Sequence, residues 1–288
     1  MGTICFRWGN LFMSIYARAT VLLFGMYLPV NAQWTEIKSP NYSIFRQAGY
    51  EKDAEFARTW LDRAESLLKK KYGVPFRGYQ IKVYLYPEPT SKANTGTANL
   101  QCCSPGSGEQ KTGVISFLAP SSAAWRDFQG RTSLRLPKDE NYQAKVLMSE
   151  YITVGHYAVQ DSRVKTGGWR YYSAPQWVVQ GLQEYDGIFH TTDYNRETAG
   201  AALLDWAKSH AGVFTCCTSG LQISEVYNGG AAFMAFLAAE FGEEIHAKLL
   251  LDESPTFAEA LERQTRPYSL PALFAKFQAW LVAARRPG

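Results

Sequence analysis

The chain has 288 residues, 46% of them hydrophobic and 19% charged, with a net charge of +4 at pH 7. That balance fits a folded globular protein and excludes fibrous and disordered classes. Lys69-Lys70-Lys71 is the one run of three cations, so the chain lacks the electrostatic footprint of a nucleic-acid binder.

Residues 1–32 read as a secretory signal peptide. Arg7 and Arg18 give a positive start, an apolar run follows from Ala19 to Val30, and Val30-Asn31-Ala32 offers small residues for cleavage. The run falls short of the roughly 20 residues that span a bilayer, and no later stretch is apolar for long enough, so no membrane span is expected after cleavage. The mature chain is expected to start at Gln33, to be secreted or periplasmic, and to carry +2, since the segment removes two arginines and no acid.

Cleavage also removes Cys5 and leaves Cys102, Cys103, Cys216 and Cys217. In an oxidising compartment these predict two disulfides, with three pairings open. Neighbouring cysteines bond to each other only under strain, which favours bridges from the first pair to the second. A four-thiolate zinc site fits less well, because adjacent residues on a strand point to opposite faces.

Trp34 to Arg46 suits a strand or two broken at Pro40, and Glu51 to Tyr72 is an amphipathic helix with acids early and lysines late, stopped by Gly73 and Pro75. The lysines at 69–71 read as a solvated helix end. "YQIKVYLYP" alternates as a half-buried strand, and "TANLQCC" and "GVISFLAP" read as two more, joined by the turn-rich "SPGSGEQKT" as a hairpin. From about Lys138 the pattern turns helical: 141–160, 175–188, 196–210, 224–241, 256–264 and 270–284. No repeat or linker divides residues 33–288, so one α+β domain is expected, with a strand-rich lobe over 33–137 and a helical lobe over 138–288.

Three segments carry the chemistry: "VLMSEYITV" at 146–154, "PQWVVQGLQEY" at 175–185 and "YNGGAAFMAFLAAEFG" at 227–242, followed by the closing "SLPALFAKFQAWL". In order and spacing they resemble the gluzincin, or peptidase MA-like, zinc metallopeptidases, and with the preceding strands and helix the resemblance covers nearly all of the mature chain. It implies a thermolysin-like arrangement. In that family His-Glu-x-x-His places two imidazoles on one helical face with a Glu as general base, and a later Glu completes the zinc site. The resemblance puts Ser149 and Thr153 at the histidine positions, Glu150 at the base and Gln180 at the third ligand.

Hydroxyls and a neutral amide are poor zinc ligands, so no cofactor is expected although the family carries zinc. His156 continues the face of Ser149 and Thr153, and Glu184 that of Gln180, which leaves a displaced metal site open. There is no Gly-x-Ser-x-Gly elbow and no phosphate-cradling glycine motif. The aromatic run from Gly167 to Trp177 reads first as packing and second as a stacking surface at the cleft.

The resulting expectation is an exported, catalytically inactive relative of these peptidases. Its inherited cleft, lined by Ser149, Thr153, His156, Gln180 and Glu184, would bind an extended peptide, with the hairpin from Asn99 to Phe117 as the substrate-side edge. The alternatives are a hydrolase with a displaced metal or a metal-free Glu150–His156 pair, and a structural protein of the cell envelope.

Overall fold

The computed structural model describes residues 33–73, 79–88, 98–102, 111–123, 125, 137, 139–163, 168–171, 174–210, 221–222 and 224–283, with the backbone alone at 98–102 and 162–163. Residues 1–32, on which the expected signal peptide falls, lie outside these residues with Cys103, Cys216 and Cys217, as does the side chain of Cys102.

Two short strands open the fold, β1 (Thr35–Lys38) and β2 (Tyr42–Arg46), paired antiparallel around Pro40, which has no N–H for a ladder. The helix α1 (Glu51–Tyr72) follows because Ala54, Ala57, Trp60, Leu61, Ala64 and Leu68 recur at helical spacing and are buried together. Gly73 ends it at φ 67°, a conformation that costs glycine little, and returns its N–H to the Lys69 carbonyl.

The crossover through α1 lays β3 (Tyr79–Tyr86) parallel to β2. Tyr79, Ile81, Val83 and Leu85 face the core, as the alternation predicts. The expected hairpin is present: β4 (Ala98–Cys102) runs antiparallel to β5 (Lys111–Leu118). It is β5 that pairs with β3, in parallel, so the sheet reads β1-β2-β3-β5-β4 and β4 ends it.

The longest helix, α2 (Glu140–Arg163), packs against β3, β4 and β5 and along α1. Its crossings need small residues: a Cβ on Gly155 would lie 2.4 Å from Leu68, and one on Gly113 of β5 would lie 3.1 Å from Val154. Beside it is α3 (Gln176–Phe189), followed by α4 (Gly200–Ser209), α5 (Gly230–Phe241), α6 (Ile245–Leu250), α7 (Phe257–Gln264) and α8 (Leu270–Ala283). Wide π-helical turns at Asn195–Ala199 and Glu225–Gly229 lead into α4 and α5 where unbroken α-helix was expected, because hydrophobic spacing does not register one widened turn. The six-residue α6 was not expected, being too short to show a period.

Residues Gly230 to Leu237 of α5 are all buried, which makes it the central helix of this half. It crosses α3 at a glycine pair, where a Cβ on Gly181 would lie 2.5 Å from the Gly230 carbonyl carbon. Strands first and helices after make an α+β protein, and Thr35–Gly288 is one compact unit. Among the described residues no helix is long and apolar enough to cross a membrane.

Candidate functional site

Helical spacing puts Lys145, Ser149, Thr153 and His156 on one face of α2, and the structure turns that face toward α3. Ser149 Oγ donates to the Lys145 carbonyl at 2.8 Å and Thr153 Oγ1 to the Ser149 carbonyl at 3.0 Å. Each hydroxyl is thus spent on its own helix, one turn back. Across the seam, α3 presents Gly187, whose added Cβ would lie 2.0 Å from Ser149 Oγ. The backbone of α3 therefore occupies the space an imidazole at position 149 would need.

One turn before Ser149, Lys145 Nζ sits 2.8 and 2.5 Å from the two carboxylate oxygens of Glu184, with both side chains under 10% exposed. Burial works against the Lys145 ammonium, but Glu184, Tyr142 and Glu150 together outweigh it and leave the lysine pKa raised. The Tyr142 ring, 5.4 Å from Nζ, adds a cation–π contact.

His156 is fully buried and serves a different network. Its Nδ1 lies 3.2 Å from Tyr171 Oη, and its Nε2 3.2 Å from Tyr72 Oη and 3.4 Å from Asp186 Oδ2. Tyr171 gives its own proton to the Val179 carbonyl at 2.8 Å, so its oxygen accepts from His156 Nδ1–H. Burial, opposed by Asp186, holds the His156 pKa below its ordinary value.

Asp186, with no exposed side-chain surface, is the hub of this network. Lys71 Nζ approaches it at 2.6 Å, Tyr72 Oη donates at 3.0 Å, and His190 Nε2 lies 3.6 Å away. Burial pushes the Asp186 carboxyl up, but Lys71 and the neighbouring histidines hold it well below the carboxylate range. Lys71 also reaches Glu243 at 3.3 Å, and Tyr185 donates its hydroxyl to that carboxylate. The lysine run at 69–71 is therefore not wholly a solvated helix end: Lys69 and Lys70 are exposed, whereas the Lys71 side chain is 6% exposed and ties α1 to α3.

Of the residues singled out in the sequence, Ser149, Thr153, His156 and Glu184 are buried along this seam, and Gln180 is half-buried, its Oε1 without a hydrogen-bond partner among the described residues. The structure does not bring His156 and Glu184 together, because one is held by Tyr72, Tyr171 and Asp186 and the other by Lys145. Glu150 is half-buried and lies about 100° around α2 from Ser149. Among the described residues no group of three or more His, Cys, Asp or Glu is arranged to hold a metal ion. The side chains at the family's ligand positions do not fit zinc: two are hydroxyls bonded to their own helix and the third is an amide.

In the aromatic run, Trp169, Tyr171 and Trp177 are buried packing groups, with Trp169 Nε1 donating to the Leu249 carbonyl at 3.2 Å, while Gly167, Tyr172 and Ser173 lie outside the described residues. Sequence patterns did not single out Lys145 or Asp186 as site residues and placed Lys71 with its solvated neighbours. Lys145 carried one usable signal, a lone charge one turn before Ser149 on the face that continues with Thr153 and His156.

A scan against protein-family models returns no match to the chain, and no curated protein matches it.

Proposed function

We propose that this is a non-catalytic protein of gluzincin-like, thermolysin-like arrangement that recognises an extended peptide by adding it as a strand to β4. The seam between Ser149 and Gly187 carries the first half of that reading. Where the family holds a metal, this chain has two self-bonded hydroxyls, a tight helix contact and a buried Lys145–Glu184 pair. The second half draws support from the sheet: β4 is antiparallel to β5, ends the strand order, and lies against α2. An edge strand leaves alternate backbone groups for a ligand strand, and recognition of that kind needs no metal.

A second reading takes support from the same closed seam: a structural protein of the cell envelope that recognises no peptide. Two measurements separate the readings. Elemental mass spectrometry on untagged mature protein dialysed against trace zinc is expected to find no stoichiometric metal. A one-to-one metal lost in His156→Ala would sink the non-catalytic reading. Hydrogen exchange with a degenerate nonapeptide pool is expected to slow the amides of Asn99 to Cys102. Unchanged exchange there would favour the structural reading.

A further inference from the structure

A surface depression of about 720 Å³ opens where the loop after α6, the helix α7 and the turn into α8 meet. This lies within the roughly 300–1,000 Å³ of small-molecule sites. Its wall includes Ser254, Glu259, Glu262, Arg263, Arg266 and Tyr268.

Arg263 is held from behind. Its Nε donates to Asp252 Oδ2 at 2.8 Å and its Nη2 lies 2.7 Å from Oδ1, while the fully buried Asp252 is itself fixed by Gln264 Nε2 at 2.5 Å and by the Ser254 N–H at 2.8 Å. One edge of the guanidinium is therefore locked, and the Nη1 donors have no partner among the described residues. A cation fixed in this way loses little freedom when it meets a ligand carboxylate. Arg266 and Glu262 are exposed and also have no partner among the described residues. Ser254 is 8% exposed, and its N–H and hydroxyl both turn to Asp252, which leaves the hydroxyl oxygen able to accept. Lys276, over the Tyr268 ring at 5.5 Å, is already paired with Glu240 at 2.8 Å.

Both signs of charge thus line one depression. A dianion such as phosphate would meet Glu259 and Glu262, and a simple cation would meet the two arginines. A ligand charged at both ends suits both walls. We propose that this depression binds a short zwitterionic peptide of the dipeptide class, its carboxylate on Arg263 and Arg266, its ammonium on Glu262, and its peptide group within reach of Ser254. The site uses no residue of α2 or α3 and stands apart from the reading of the β4 edge.

Saturation-transfer NMR on the full mature protein tests this with Gly-Phe, its N-acetylated amide and inorganic phosphate. Gly-Phe is expected to bind, the doubly blocked form not to, and phosphate to compete poorly. Arg266→Gln and Glu262→Gln, which remove no described contact, should each weaken Gly-Phe by about tenfold with an unchanged melting temperature. Absence of transfer to Gly-Phe, equal binding of the blocked form, displacement by phosphate as effective as by Gly-Phe itself, or unchanged affinity in both variants would each overturn the site.

Discussion

Lys145 and Glu184 show at single-residue scale why the candidate site is a closed structure. Two charges under 10% exposed are costly to desolvate, and their mutual attraction offsets that cost only while both are present. Removing one leaves the other buried without a partner. Lys145→Met is therefore expected to lower unfolding stability by about 3–5 kcal/mol, whereas Lys145→Met with Glu184→Leu, which replaces the pair by apolar groups, recovers most of the loss. Urea unfolding of the two variants checks this. A single variant within about 0.5 kcal/mol of the parent would mean that water reaches the pair, since changes of that size are typical of surface sites. Ser149→Ala removes only a hydroxyl bonded to its own helix, so its effect should stay near or below about 1 kcal/mol.

At the scale of elements, α2 and α3 are set by the contact of Gly187 with Ser149. A Cβ at 187 would lie 2.0 Å from the serine Oγ but 3.3 Å from the nearest backbone atom, the Lys145 carbonyl oxygen. The clash is therefore with a removable atom. Gly187→Ala is expected to destabilise by about 1–3 kcal/mol, and Ser149→Ala in the same chain to restore much of it, giving a coupling energy above about 0.5 kcal/mol in a double-mutant cycle. Strict additivity would show that the helices are not in contact there.

The same contact marks how far the sequence could be read. The strands, α1 and the β4–β5 hairpin were legible because alternation and helical spacing are local patterns. The seating of β5 beside β3 was not, since strand order depends on pairings distant in sequence. Lys71 looked like its exposed neighbours because its partner, Asp186, lies 115 residues away. Ser149 and Thr153 were legible as poor zinc ligands from their chemistry alone. That their hydroxyls turn back onto their own helix, and that Gly187 fills the space beside them, depended on how α2 and α3 meet.

Across the whole molecule, the buried histidines and carboxylates with shifted pKa values make acid unfavourable. Burial lowers the pKa of both His156 and His246, the latter from 6.5 to about 3. Such a histidine stays neutral when folded and takes a proton when unfolded, so its stabilisation is full above pH 6.5 and is lost as pH falls toward the folded value. For His246 the loss is on the order of 4 kcal/mol by pH 3. Asp186 and Glu243 act lower down: Glu243 stands at about 2, so its contribution is full above its unfolded value and fades as pH drops through its folded one. No described group with a resolved shift opposes this trend between neutrality and pH 4. Urea midpoints measured from pH 7.5 to 4.5 should therefore hold steady above about pH 6.5 and then fall, each histidine adding a slope of up to about 1.4 kcal/mol per pH unit. His246→Phe removes one titrating group and leaves the Met234 carbonyl without its donor at 3.0 Å. It should be less stable at neutral pH yet lose stability more slowly on acidification. A parent protein whose midpoint is flat from pH 7 to 5 would show that both imidazoles already exchange protons with solvent in the folded state. The packing that closes the α2–α3 seam around His156 would then be looser than its burial implies.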